Sequence, residues 1–106
     1  MIPRSRMLLI LVDETDVDGD MPLYEAIVRR LVQLGVAGAT VKTGIMGYGA
    51  HGRLHRKRLF GISDDRPVSI IAVDLESKLK EILPHIRPMV KEGLVLLMDV
   101  EIVPPV

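Results

Sequence analysis

The residues best placed to do chemistry are concentrated between Thr43 and Arg58, in Thr-Gly-Ile-Met-Gly-Tyr-Gly-Ala-His-Gly-Arg-Leu-His-Arg-Lys-Arg. Gly44, Gly47, Gly49 and Gly52 let the backbone approach a ligand closely and take conformations closed to other residues. Successive amides in such turns form a concave nest for anions. Arg53, Arg56, Lys57 and Arg58 add four cations within six residues, and no acid occurs from Lys42 through Ser63. Phosphate is the anion that glycine amides and arginine forks suit best. The run Gly47-Tyr-Gly-Ala-His-Gly52 fits G-x-G-x-x-G, but a basic segment follows it where a dinucleotide site needs a helix. A solvated, glycine-rich loop whose charges serve solubility fits the same residues.

His51 and His55 are four apart, a spacing that would put both imidazoles on one helical face for a metal. Gly49 and Gly52 argue against a helix there, so they read as exposed loop histidines with a hydrogen-bonding role toward a ligand in reach, and no metal site is expected. Asp13, Glu14, Asp16, Asp18 and Asp20 alternate like a calcium loop, but the glycine and the distal glutamate are out of register. No nucleophile elbow or Ser, His and Asp order is present. A hydrolase using His51 or His55 as general base and a nucleic-acid module using the basic run stay as alternatives. A non-enzymatic role is preferred.

Composition narrows the field. A chain of 106 residues suits one domain, 1–106, with a modest core. Lys and Arg total 14, as do Asp and Glu, and only Tyr24, Tyr48 and Phe60 are aromatic. A neutral chain without stacking platforms makes nucleic acid an unlikely partner. The absence of cysteine removes disulfides and thiolate metal sites and fits a reducing cytoplasm. The apolar run Met7–Val12 is too short for a membrane span or signal peptide, so no membrane insertion is expected.

The elements that must position the glycine-rich segment follow from periodicity. Met7–Val12 reads as a central strand. A helix is expected over Met21–Leu34, capped by Asp20, with Leu23, Ile27, Leu31 and Leu34 on one stripe and Gly35 as its stop. Ala39–Met46 reads as a second strand, and 47–66 as an extended loop. Pro67–Val73 is a third strand. A second helix over Leu75–Glu92 should kink or split at Pro84. Leu94–Val103 is the last strand. Two right-handed crossovers in the order βαββαβ give an α+β, ferredoxin-like, four-stranded antiparallel sheet with both helices on one face. Its other face is apolar and demands a partner.

Pro22-Leu-Tyr-Glu-Ala-Ile-Val28, Gly38-Ala-Thr-Val41, Gly44-Ile-Met-Gly-Tyr-Gly49, Gly93-Leu-Val and Asp99-Val-Glu-Ile102 together give a further signal. In these stretches the chain resembles the PII-like (GlnB-like) family catalogued as Domain of Unknown Function 190. The resemblance implies a homotrimer with its sheets facing inward. It also implies that 47–66 corresponds to the mobile T-loop, through which the protein would signal to a protein partner. An adenine nucleotide, AMP, ADP or ATP, would bind in clefts between subunits, with no cofactor required. Carried over by position, Gly47, Tyr48, Gly49 and Arg53, with His51 and His55 beside them, would line the phosphate side. Met46, Val68 and Gly93 would lie at the neighbouring subunit's edge. The turn before the last strand is shortened to Lys91-Glu92-Gly93, so the glutamine and 2-oxoglutarate signalling of PII is not implied.

Overall fold

The computed structural model describes residues 3–48, 54–56 and 66–106. Strand β1 (Ser5–Asp13) is followed by a short pair, β2 (Val17–Asp18) and β3 (Met21–Pro22), then helix α1 (Leu23–Gln33). Strands β4 (Ala39–Thr43), β5 (Met46–Tyr48), β6 (Leu54–Arg56) and β7 (Pro67–Leu75) precede helix α2 (Glu76–Ile86), a 3₁₀ turn (Arg87–Met89) and strand β8 (Leu94–Val100). The main sheet has the order β4-β7-β1-β8, antiparallel throughout. That is the ferredoxin-like arrangement, as the order of apolar runs predicts.

Alternation along the strands divides the sheet into two faces. Leu8, Ile10 and Val12 of β1 lie opposite Ala72, Ile70 and Val68 of β7, and all are buried. The helices cover this face with Ile27, Leu31, Leu79, Ile82 and Ile86. Ile27 is fully enclosed, so Ile27→Ala leaves a cavity no neighbour fills. The variant is expected to lose about 3 kcal/mol, lowering the thermal midpoint by roughly 10–20 °C in calorimetry. A shift below about 3 °C would contradict this packing.

The second face has no helix over it. Leu9 lies between Ile71 and Leu96, and Met7 between Val73 and Met98. Leu94, Leu96 and Met98 are 54%, 38% and 36% exposed. The patch is contiguous and apolar, as the unpartnered-face argument requires.

Several boundaries differ from the sequence expectation, each for a local reason. Proline biases its preceding residue toward extended backbone, and Pro22 itself is extended, with ψ 140°. Helix α1 therefore begins at Leu23 rather than Met21. Asp20 does not cap it; the Leu23 amide donates to the Asp16 carbonyl instead, at 2.8 Å. Its far end closes as expected. Gly35 has φ +80°, and the Val36 and Gly35 amides donate to the carbonyls of Leu31 and Val32. Helix α2 passes through Pro84 and ends at Ile86, not Glu92. Pro84 and Pro88 lack the amides that would bond back to residues 80 and 84, and the chain tightens into the 3₁₀ turn. A bend at Gly44–Ile45 splits the expected second strand. The last strand stops at Val100, short of Val103. The expected loop 47–66 contains a ladder, with Met46, Gly47 and Tyr48 opposite Arg56, His55 and Leu54. The two short runs alternate in register, which is what a paired ribbon needs.

Candidate nucleotide site

One end of the sheet collects the exit of β1, the exit of β4, the entry of β7 and the entry of β8. Pro67 organises the β4 side. Its carbonyl accepts the Gly44 amide at 2.7 Å, and its ring lies under Gly44 and Gly47. A β-carbon added at Gly44 or Gly47 would come within 2.6 Å or 3.2 Å of Pro67 Cγ. Gly44 is required by close approach, since a side chain there would displace the proline, and at Gly47 the fit is tight. On the β8 side, Gly93 has φ +140°, and a β-carbon there would overlap the Leu11 carbonyl oxygen.

The residues expected at the site fall into three groups. Met46 and Tyr48 are exposed and flank half-buried Gly47, all in β5. Gly93 lies at the same end of the sheet but beside β1 and β8. Val68 is buried beneath the helices, so its side chain belongs to the core and not to a surface. Gly49, His51 and Arg53 lie outside the described residues, and His55 is placed only by its backbone, opposite Gly47. The structure thus brings Met46, Gly47 and Tyr48 to one edge of the sheet and Gly93 to the other. Gly47 rests on Pro67 of β7 and Gly93 against Leu11 of β1, and those two strands are neighbours in the sheet.

Sequence reading missed two residues at this end. The Glu14 amide donates to the Arg66 carbonyl at 2.8 Å, and Arg66 Nε lies 3.6 Å from Glu14 Oε2. Arg66 is the last residue before Pro67, and a charge flanking a strand entry was the available signal. The neighbouring acids make turns: Asp13 Oδ1 accepts from the Thr15 amide and hydroxyl, and Asp16 Oδ2 accepts from the Asp13 amide. Beside them an open cleft of about 510 Å³ is lined by Asp16, Asp18, Leu23, Met89, Lys91 and Glu92, among others. Three carboxylates against one lysine make it a poor site for phosphate. Among the described residues, no group of three or more His, Asp or Glu is disposed to hold a metal, and no helix is long and apolar enough to cross a membrane.

The opposite end of the sheet is tied by ordinary ion pairs. Arg4 donates to Asp99 at 3.1 Å, and Lys80 Nζ lies 3.1 Å from Glu76 Oε1. The hydrogen bond from Lys80 holds the Glu76 carboxyl below the usual carboxylate range. That small contribution is present above the ordinary carboxylate pKa and fades as pH falls through the lowered one.

The model of the DUF190 family, described as "Uncharacterized ACR", matches residues 5–102. A UPF0166 protein of Aquifex aeolicus is 30% identical over 102 residues, covering 96% of each chain. Among solved structures, CPII of Thiomonas intermedia K12, a nitrogen regulatory PII-like protein bound to ADP, AMP and bicarbonate, superposes with TM-score 0.72 at 24% identity. That match covers 95% of this chain and 90% of CPII. CutA1 of Ehrlichia chaffeensis, a divalent ion tolerance protein, gives TM-score 0.66 at 11% identity over 99% and 89% of the two chains. The two structural likenesses establish the fold alone. With the family model spanning nearly all of it, and with the ferredoxin-like sheet of PII-like proteins, the chain belongs to the DUF190 family.

Proposed function

We propose that the protein is a non-enzymatic, PII-like sensor that binds an adenine nucleotide in clefts between subunits of a homotrimer. The observation that carries this reading is the placement of two glycine-bearing turns beside opposite edge strands, at one end of the sheet. Gly44–Tyr48 follows edge strand β4, and Lys91–Gly93 precedes edge strand β8, at the same end of the sheet. Within one chain they adjoin opposite edge strands of the sheet. A closed ring that places the β4 edge of one subunit beside the β8 edge of the next unites them. The uncovered apolar face of Met7, Leu9, Ile71, Leu96 and Met98 gives such a ring its interior. That CPII is bound to ADP and AMP on the same fold supports the choice of ligand.

In this reading the nucleotide phosphates meet the backbone of Gly47–Gly49 with Arg53, His51 and His55 nearby, and Gly93 lies on the neighbouring subunit's side. Segment 47–66 carries the ligand state to a protein partner. The hydrolase and nucleic-acid alternatives depend on His51, His55 and the basic run 53–58, and nothing among the described residues adds to either.

Thermal unfolding with AMP, ADP, ATP and cyclic AMP tests the reading. A ligand at about 100-fold its Kd stabilises by about 2.7 kcal/mol, a shift of several degrees for at least one of the four. Arg53→Ala is expected to abolish that shift without lowering the midpoint of the free protein. No shift with any adenine nucleotide would overturn it.

A further inference from the structure

We infer that Arg66 is an anion-binding side chain of this cleft, and that Glu14 is the internal competitor an incoming phosphate group must displace. The inference rests on the nucleotide reading for the identity of the ligand; the pairing itself stands on geometry.

Arg66 is fixed at the glycine-bearing end of the sheet from both sides. Its carbonyl takes the Glu14 amide at 2.8 Å, and the carbonyl of the next residue, Pro67, takes the Gly44 amide at 2.7 Å. The Pro67 ring is the surface on which Gly44 and Gly47 lie. A phosphate seated on that backbone therefore has Arg66 as an immediate chain neighbour.

The side chain is held, but poorly. Arg66 Nε and Glu14 Oε2 are 3.6 Å apart, beyond hydrogen-bond length. Both atoms are shielded from water, and neither has a hydrogen-bond partner among the described residues. The side chains as wholes keep 25% and 31% of their surface, so the guanidinium is desolvated at Nε while still reachable from outside. Charges taken out of water at that separation are incompletely compensated. Several pairs elsewhere on the protein are tighter, Arg4–Asp99 at 3.1 Å, Arg29–Glu25 at 2.9 Å and Lys80–Glu76 at 3.1 Å, while the more exposed Arg4 Nε lies 3.9 Å from Glu76 Oε2. Even Arg6 Nε, likewise shielded and without a hydrogen bond, lies 3.2 Å from Asp99. Arg66–Glu14 is the loose pair, shielded at both atoms, that stands beside the glycines.

A guanidinium offers its donors in a planar fork that matches phosphate oxygens. A phosphate group would supply the Nε bond that Glu14 does not. Glu14 would then keep Arg66 from holding monovalent or misplaced anions, so discrimination should rise with phosphate number, from AMP to ATP.

Glu14→Gln, Arg66→Gln and the double variant, titrated with pyrophosphate, AMP and ATP, test this. Glu14→Gln is expected to bind pyrophosphate and ATP about tenfold more tightly. Arg66→Gln is expected to weaken ATP more than AMP, and the double variant to lose the whole gain of Glu14→Gln. Removing a negative charge that acted only through its field would strengthen binding equally in both Arg66 backgrounds, and that outcome overturns the inference, as does an unchanged affinity for Glu14→Gln. Should Glu14→Gln fail to fold, Arg66→Lys decides. It keeps the charge and removes the fork, so it should weaken pyrophosphate binding, and wild-type affinity would overturn the inference. If the unaltered protein binds no adenine nucleotide, the proposed function falls by itself, and the pyrophosphate comparison still judges the Glu14–Arg66 pair.

Discussion

Gly93→Ala is expected to lower stability by about 3 kcal/mol or more, near the upper end of what a single methyl group can do. Two costs add. A non-glycine residue at φ +140° is strained by about 1–3 kcal/mol. The new β-carbon also overlaps the Leu11 carbonyl oxygen and comes within 3.2 Å of Val90 Cγ1. A flexible side chain could swing away, but a carbonyl in the β1–β8 ladder cannot, because Leu11 pairs with Leu94 one residue beyond the glycine. Relief therefore requires the entry of β8 to move off β1. Urea unfolding should show the loss directly, with a thermal midpoint lowered by roughly 10–20 °C. Because Gly93 also forms one half of the proposed cleft, nucleotide affinity should fall with it. A variant within about 0.5 kcal/mol of the parent would mean the backbone at residue 93 is not as described.

Leu9→Asp is expected to abolish assembly while leaving the isolated fold largely intact. Leu9 lies mid-strand on the uncovered face, between Ile71 and Leu96, and touches none of the helix-side core. In a separate chain the new carboxylate lies on the uncovered, partly exposed face, where water reaches it. In a ring whose subunits close over this face it would be buried without a partner, which costs several kcal/mol per interface and weakens association by roughly a thousandfold or more. Light scattering should report the mass of one chain where the unaltered protein is expected to show three. If the variant keeps the parent mass, the face is not the interface. With the proposed cleft between two subunits, the variant should also lose the nucleotide-dependent thermal shift.

How much of this was legible depends on what apolar periodicity records. It reports which side of an element is buried, so the strands around Met7–Val12 and Val68–Val73, both helix stripes and the unpartnered sheet face could all be read. The conformational demand of Gly35 is likewise a local property. Boundaries were harder where two local preferences compete. Asp20 is a good cap, but Pro22 holds the chain extended one residue too long for it to serve. Pro84 is a helix breaker, yet α2 continues two residues past it. The β5–β6 ladder was hidden because glycine and basic residues outweigh the short alternation that forms it. At the site, the glycines announce a need for close approach without saying to what, and Pro67 is the answer at Gly44 and Gly47. The Glu14–Arg66 contact joins residues remote in the chain, and only the antiparallel pairing of β1 with β7 brings them together. Val68, placed at the cleft by position, has its side chain in the helix-side core, so only its backbone is left to face a ligand.

The most direct test of the central claim is calorimetric titration of the purified protein with AMP, ADP and ATP, with the mass of the same sample determined by light scattering. The account predicts a trimer that binds at least one of the three with micromolar affinity, one nucleotide per inter-subunit cleft. A single-chain mass, or a trimer that takes up none of them, would contradict it.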